Sequence, residues 1–163
     1  MEKQEQELRA YFFQNMYLQG IHAGIQSQHT TAEMFVKYLD GKVKSLSKCP
    51  QDTQYHNNVK VLYDWANNHK TTIVLNGGMQ GDLEEAIKVF DTEDNPYPWA
   101  FFKESEYALG GALTNVGIIL PEKIYNAPNP FSDIPLFEEY CDLNSVTEYE
   151  SQIIGLVKSK RLF

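Results

Sequence analysis

Cysteine is scarce: Cys49 and Cys141 are the only two in 163 residues. Neither sits in a Cys-x-x-Cys or Cys/His cluster, so a disulfide framework and a structural metal site are not expected. Two free thiols point instead to a reducing, cytosol-like compartment. Long apolar runs are missing too. The longest, Val116 to Leu120, falls far short of the roughly 20 residues that cross a bilayer, so no membrane partner is expected. The first residues, Met1-Glu2-Lys3-Gln4-Glu5-Gln6-Glu7, are polar where a secretory leader is apolar. Positive charge is the third shortage, with 14 Lys+Arg against 22 Asp+Glu and a net charge of −8. The shortage is uneven. Residues 1–80 hold eight basic against seven acidic side chains, whereas residues 81–163 hold six against fifteen. An acidic half repels phosphate backbones, which argues against a general nucleic-acid binder and against DNA in particular.

What remains is an ordinary globular composition, 42% hydrophobic and 22% charged, in a chain of single-domain size. Arg9 to Leu18 reads as a first strand, broken by Gly20. From Ile21 to Leu39 the apolar residues Ile21, Ile25, Ala32, Phe35, Val36 and Leu39 recur at roughly helical spacing, with Gly41 as a stop. Lys42 to Tyr55 reads as a loop or short helix. Val59 to Asn68 fits a second helix with Leu62, Trp65 and Ala66 inward. Thr71 to Leu75 is β-branched and apolar, which suits a central strand, and Asn76-Gly77-Gly78 is a turn. Asp82 is placed to cap a helix from Leu83 to Phe90.

Asp91 to Pro98 is a loop. Trp99 to Phe102 and Leu113 to Leu120 are strands, the second stopped by Pro121. The crossover from Thr71–Leu75 to the Trp99 strand makes those two parallel. The expected fold class is α/β: a single domain with a mixed four-stranded sheet flanked by helices over residues 1–123. An acidic, aromatic-containing C-terminal extension, 124–163, packs on it through Phe131, Phe137 and Tyr140 and ends in a helix from about Val146 to Lys158.

Three stretches carry candidate chemistry. At the start of the first helix, His22, Gln26 and His29 fall on one face at i, i+4 and i+7, with Glu33 a turn further on. That helix start also offers free N–H groups and a positive dipole end to an anion or oxyanion. Lys103-Glu104-Ser105-Glu106-Tyr107 places carboxylates directly after a strand. Gly110-Gly111-Ala112-Leu113-Thr114-Asn115 presents a hydroxyl at the last strand. Gly77-Gly78 lacks the Lys-Ser/Thr of a phosphate loop, and nothing points to a cofactor. His22, Gln26, His29 and Glu33 make a poor metal face, because a glutamine in the middle is a weak ligand.

The order of these parts resembles the type 2 peptidyl-tRNA hydrolase family. Gly24-Ile25-Gln26-Ser27-Gln28-His29 is similar to its signature, a small-residue pair followed by Gln-x-x-His. Trp65 through Leu75 looks like its helix-ending Trp and Lys-led apolar strand, and Gly77 to Phe90 like its turn and acidic-start helix. Trp99 to Pro121 resembles its strand, acidic loop, Gly–Thr segment and final strand. The likeness covers about residues 10–123. The family's lysine before the first helix has no counterpart in Gly20-Ile21-His22, and its Asp-Ala-Gly is replaced by a loop with Glu104 and Glu106. Thr114 matches the family's threonine. The stretches NPYPWA and LNGG have the texture of a phage-encoded branch.

The resemblance implies ester hydrolysis on peptidyl-tRNA, with His22, Glu104 and Thr114 as catalytic residues and Gln26, His29 and Glu106 as binding residues. Each also has a plainer reading. His29 packs against the helix, Gln26 bonds a neighbouring loop's backbone, Glu104 and Glu106 belong to a solvated acidic loop, and Thr114 packs. On the second functional reading the scaffold binds without hydrolysing. Its partner is then a small nucleotide-like ligand or another protein, including a second copy of the chain or, for a phage factor, a component of a host pathway.

Overall fold

The computed structural model describes residues 6–39 and 53–163. Their order is β1 (Leu8–Asn15), α1 (Ile21–Leu39), α2 (Thr53–Asp64), β2 (Thr71–Gly78), α3 (Gln80–Phe90), β3 (Trp99–Lys103), α4 (Glu106–Leu109), β4 (Leu113–Pro121), α5 (Glu122–Tyr125), α6 (Ile134–Asn144) and α7 (Glu148–Lys158). A single π turn, Trp65–His69, extends α2. Lys70 in the left-handed region then turns the chain into β2. Cys49, Gly41 and most of the segment read as a loop or short helix lie outside the described residues.

The strands form one mixed sheet in the order β2-β1-β4-β3. β1 pairs with β2 in parallel and with β4 antiparallel, and β3 pairs antiparallel with β4. β1, β2 and β3 therefore run the same way and finish at one end of the sheet, where β4 begins. The fold is α/β with a mixed four-stranded sheet flanked by helices, as its sequence predicts. The run Thr71–Leu75 is not a central strand, however. β2 is an edge, with Thr72 exposed, and β4, buried throughout, is central beside β1. The outer side of β2 is paired instead by the chain's last residues: Asn76 N–H donates to Arg161 O, and Phe163 N–H to Val74 O.

Alternation along the strands divides the core in two. On one face Leu8, Ala10 and Phe12 of β1 and Ile119 of β4 meet Met34 and Tyr38 of α1 and Val59, Leu62 and Trp65 from the α2 region. Gly117 makes this contact close. A side chain there would begin 2.7 Å from the Phe12 ring and 2.9 Å from Met34 Cε. On the opposite face Tyr11, Phe13, Val116 and Ile118 meet Leu83, Ala86 and Phe90 of α3, Ile124 of α5, and Ile153, Ile154 and Val157 of α7.

The C-terminal segment is thus part of the core. At about 1.5–3 kcal/mol for each fully buried aliphatic side chain, α7 supplies a substantial share of this layer. Phe137 and Tyr140 are half-buried against it, whereas Phe131 is exposed. The short helices α4, α5 and α6 carry no clear sequence period and are not anticipated by it.

A buried carboxylate ties this layer together. Glu150 accepts from the Tyr97 hydroxyl at 2.6 Å and from Thr147 N–H at 2.9 Å, and pairs with Lys123 Nζ at 2.8 Å. It joins the lead-in to β3, α5 and the start of α7. Burial alone raises the Glu150 pKa, but the hydrogen bonds from Lys123, Tyr97 and Thr147 outweigh it and hold the group below its ordinary value.

Helix α3 begins earlier than Asp82 as a cap predicts. Met79 is the N-cap, and Asp82, three residues in, accepts the Met79 N–H at 2.9 Å. The carboxylate satisfies an orphan donor from within the first turn instead of from the cap position.

Candidate functional site

The sequence pattern of α1 suggests that its apolar residues face the sheet. The structure turns it otherwise. Ile21, Ile25 and Val36 are exposed, and the first turns bury Ala23, Gln26, Ser27 and Thr30 against the strands. Apolar packing takes over only at Met34 and Tyr38. Polar residues are tolerated in this interface because the strands answer them in kind. Gln14 of β1 and Thr114 and Asn115 of β4 are all buried on the sheet opposite α1 or at its edge. Asn115 Nδ2 donates to Gln14 Oε1 at 2.9 Å and to Ser27 Oγ at 3.4 Å, and Ser27 donates back to Ala23 O at 2.9 Å.

This polar layer opens to solvent beside Glu104. Gln26 Nε2 donates to Glu104 Oε1 at 2.8 Å, while Gln26 Oε1 accepts from the Thr114 hydroxyl at 2.7 Å. Thr114 also lies 3.3 Å from Phe102 O. One amide thus joins the start of α1, the residue after β3 and the first turn of β4. Gln26 is 4% and Thr114 1% exposed, whereas Glu104 is half-buried. The carboxylate is therefore reachable from water while its orientation is fixed from behind. No Lys or Arg side chain among the described residues makes an ion pair with Glu104.

Of the six residues singled out by sequence, the hydrogen bonds bring together Gln26, Glu104 and Thr114. The partners of Gln26 are side chains, not the loop backbone of its plainer reading. His22 lies one helical turn before Gln26, exposed, and makes no hydrogen bond among the described residues. His29 stacks on Phe102, with ring centroids 4.5 Å apart and planes 17° apart. Glu106 heads α4 and is exposed, without a bond to Gln26 or Thr114.

Gln14, Ser27, Thr30 and Asn115 extend the cluster and are missed by sequence reading. Their signal is a polar residue inside an otherwise apolar strand, Gln14 in YFFQN and Asn115 in LTNVGIIL. Two atoms of the layer, Thr30 Oγ1 and Asn115 Oδ1, are buried and make no hydrogen bond to another described residue.

The first turn of α1 adds backbone donors. Gly20, at φ +61°, starts the helix and accepts from Ala23 N–H at 3.1 Å. That first turn carries no acidic side chain. Further along the β3 edge, Lys37 Nζ donates to Trp99 O at 3.1 Å and sits 3.7 Å from the Trp99 ring centroid. Burial lowers the Lys37 pKa to about 8, with Asp91 pulling the other way.

Among the described residues no helix is long and apolar enough to cross a membrane, and no group of three His, Cys, Asp or Glu side chains is placed to hold a metal ion. No protein-family model matches the chain, and no curated protein matches its sequence.

Proposed function

We propose that this protein is an esterase of the peptidyl-tRNA hydrolase type, cleaving the bond between a peptide and the 3′ end of a tRNA. The observation that carries the reading is the Gln26 bridge, which holds a solvent-reachable carboxylate, Glu104, in one orientation against the start of α1. Glu104 acts as general base on a water whose oxygen attacks the ester carbonyl. The resulting oxyanion is stabilised by N–H groups of the first turn of α1. On collapse the carbonyl–ribose oxygen bond breaks. The proton taken up by Glu104 passes to the ribose oxygen, giving a free peptide carboxylate and an intact tRNA hydroxyl.

Thr114 is too deeply buried to touch substrate and acts through Gln26 as a positioning residue. His22, exposed one helical turn before Gln26, relays that proton from Glu104 to the leaving ribose oxygen. Binding without hydrolysis has one observation in its favour: no cation among the described residues pairs with Glu104 to replace the family's lysine.

Turnover of an N-acetylated aminoacyl-tRNA decides between the two. The esterase reading expects release of the acetylated amino acid, a fall of about 10²–10⁴-fold in Glu104→Gln, and full activity in the distant surface variant Glu138→Gln. Release no faster than in buffer, or an unaffected Glu104→Gln, ends it.

A further inference from the structure

Helix α1 has a second, outward apolar face. Ile21, Ile25, Ala32 and Val36 follow one another at intervals of 4, 7 and 4 residues. At about 100° per residue they lie within about 60° of one another around the axis. This stripe is opposite the buried row Ala23, Ser27, Thr30, Met34 and Tyr38, and it stands in solvent, with Ile21 78%, Val36 55% and Ile25 39% exposed. No Lys, Arg, Asp or Glu interrupts it, and exposed Gln28 occupies its middle.

The solvent side of a helix is ordinarily its polar one. Large aliphatic side chains in line along about 22 Å of helix mark a surface built to be covered. Gly24, at the border of the stripe, agrees. A Cβ there would meet nothing within 4 Å, so no contact within the chain asks for glycine in place of a better helix former. Close approach of a second helix does.

The stripe is its own complement. Ile21 and Val36 are equally far from a midpoint between Gln28 and His29, and so are Ile25 and Ala32. A second α1, turned end for end about a two-fold axis at that midpoint, sets Ile21 against the partner's Val36 and Ile25 against the partner's Ala32. The charged flank fits the same arrangement. Glu33 comes level with the partner's Gly24 and lies within half a turn of the partner's His22, an imidazole able to donate to a carboxylate. The two copies of Glu33 stay about 14 Å apart along the axis, beyond the screening length of about 8 Å. Antiparallel helix dipoles also attract. A parallel pairing would instead set Glu33 against Glu33 and Lys37 against Lys37.

We infer that the outward face of α1 is a homodimer interface, in which two copies of this chain pack antiparallel through Ile21, Ile25, Ala32 and Val36. Gln26 belongs to the inner side of the helix, so each copy keeps its Gln26–Glu104 cluster. The dimer does not depend on the esterase reading.

The test is sedimentation velocity of the full chain from about 1 μM to about 1 mM. One helix pair covers less than the about 800 Å² per partner of a standard interface, so half-dimerisation is expected only at about 10–100 μM. Ile25→Glu would bury a carboxylate against the partner's Ala32 and is expected to weaken association at least about ten-fold. Ile21→Glu and Val36→Lys are each expected to weaken it as well. Combined in one chain they are expected to restore it, since the register faces position 21 with the partner's position 36. About 22 Å apart on one helix, the two introduced charges do not pair within a chain. Leu143→Glu, on the exposed side of α6, is expected to associate like the parent. All substituted positions are exposed, and circular dichroism of each variant checks that it is folded. A parent that stays monomeric at about 1 mM overturns the inference. So does a dimer that persists in folded Ile25→Glu, or that Leu143→Glu abolishes, because another surface then builds it. A double variant no better than its single parents overturns the antiparallel register.

Discussion

Replacing Gln26 by leucine keeps most of the side chain's volume and removes both of its amide contacts. The neutral bond to Thr114, at 2.7 Å, is worth about 1 kcal/mol net. The bond to Glu104, at 2.8 Å, involves a charged acceptor, but one that is only half-buried and partly rehydrated when the amide leaves, so about 1 kcal/mol is again appropriate. Two features reduce the total. Thr114 keeps Phe102 O within 3.3 Å, and a leucine in the same place no longer carries the desolvation cost of an amide. The expected loss is about 1–2 kcal/mol, a fall in Tm of about 2–8 °C for a chain of this length. Urea unfolding of the single variants and of Gln26→Leu combined with Thr114→Val or Glu104→Ala gives the coupling directly. Each cycle should return about 0.5–1 kcal/mol. If both pairs are additive within error, Gln26 does not link the two groups and the positioning argument fails.

Glu150→Gln should cost about 2 kcal/mol near neutral pH, because a hydrogen-bonded buried carboxylate loses its charge while Lys123 can still reach water. Since the folded-state pKa of Glu150 is held below its unfolded value, its contribution is fully present above about pH 4.3 and is lost as pH falls through the lower folded value. Urea midpoints measured down the acid limb should therefore converge for parent and variant. Gly77→Ala should destabilise by about 2–3 kcal/mol in the same unfolding assay. Its new Cβ would lie 2.6 Å from Leu83 Cδ2 and 2.9 Å from the Phe13 backbone. Gly81→Ala, in open space on α3, should instead gain about 0.5–1 kcal/mol; equal effects at the two positions would contradict the close approach of Gly77 to Leu83 and Phe13.

Much of the architecture is legible because local signals and global packing agree. Leu62 and Trp65 face inward as the period of α2 dictates, and the apolar strand ending at Pro121 is central and wholly buried. The orientation of α1 is not legible for a physical reason. Periodicity arguments assume that the apolar face is the buried one, whereas Gln26, Ser27 and Thr30 go inward to meet Gln14, Thr114 and Asn115, partners far away in sequence. The edge position of β2 is hidden likewise, since Thr71–Leu75 has the composition of a central strand and its outer side is paired by residues 161–163. At the candidate site, the residue types at 26, 104 and 114 are flagged by a family resemblance. Their connection through a single amide is a property of the fold, and so is the distance of His29 from it, fixed by the ring of Phe102.

The most direct test of the central claim is a single-turnover reaction of the full chain with N-acetylated aminoacyl-tRNA in ¹⁸O-labelled water. Attack by a water that Glu104 activates predicts one labelled oxygen in the released carboxylate and none in the tRNA, with Glu104→Gln losing the burst. Absence of release above the buffer rate, or release without label in the carboxylate, would contradict it.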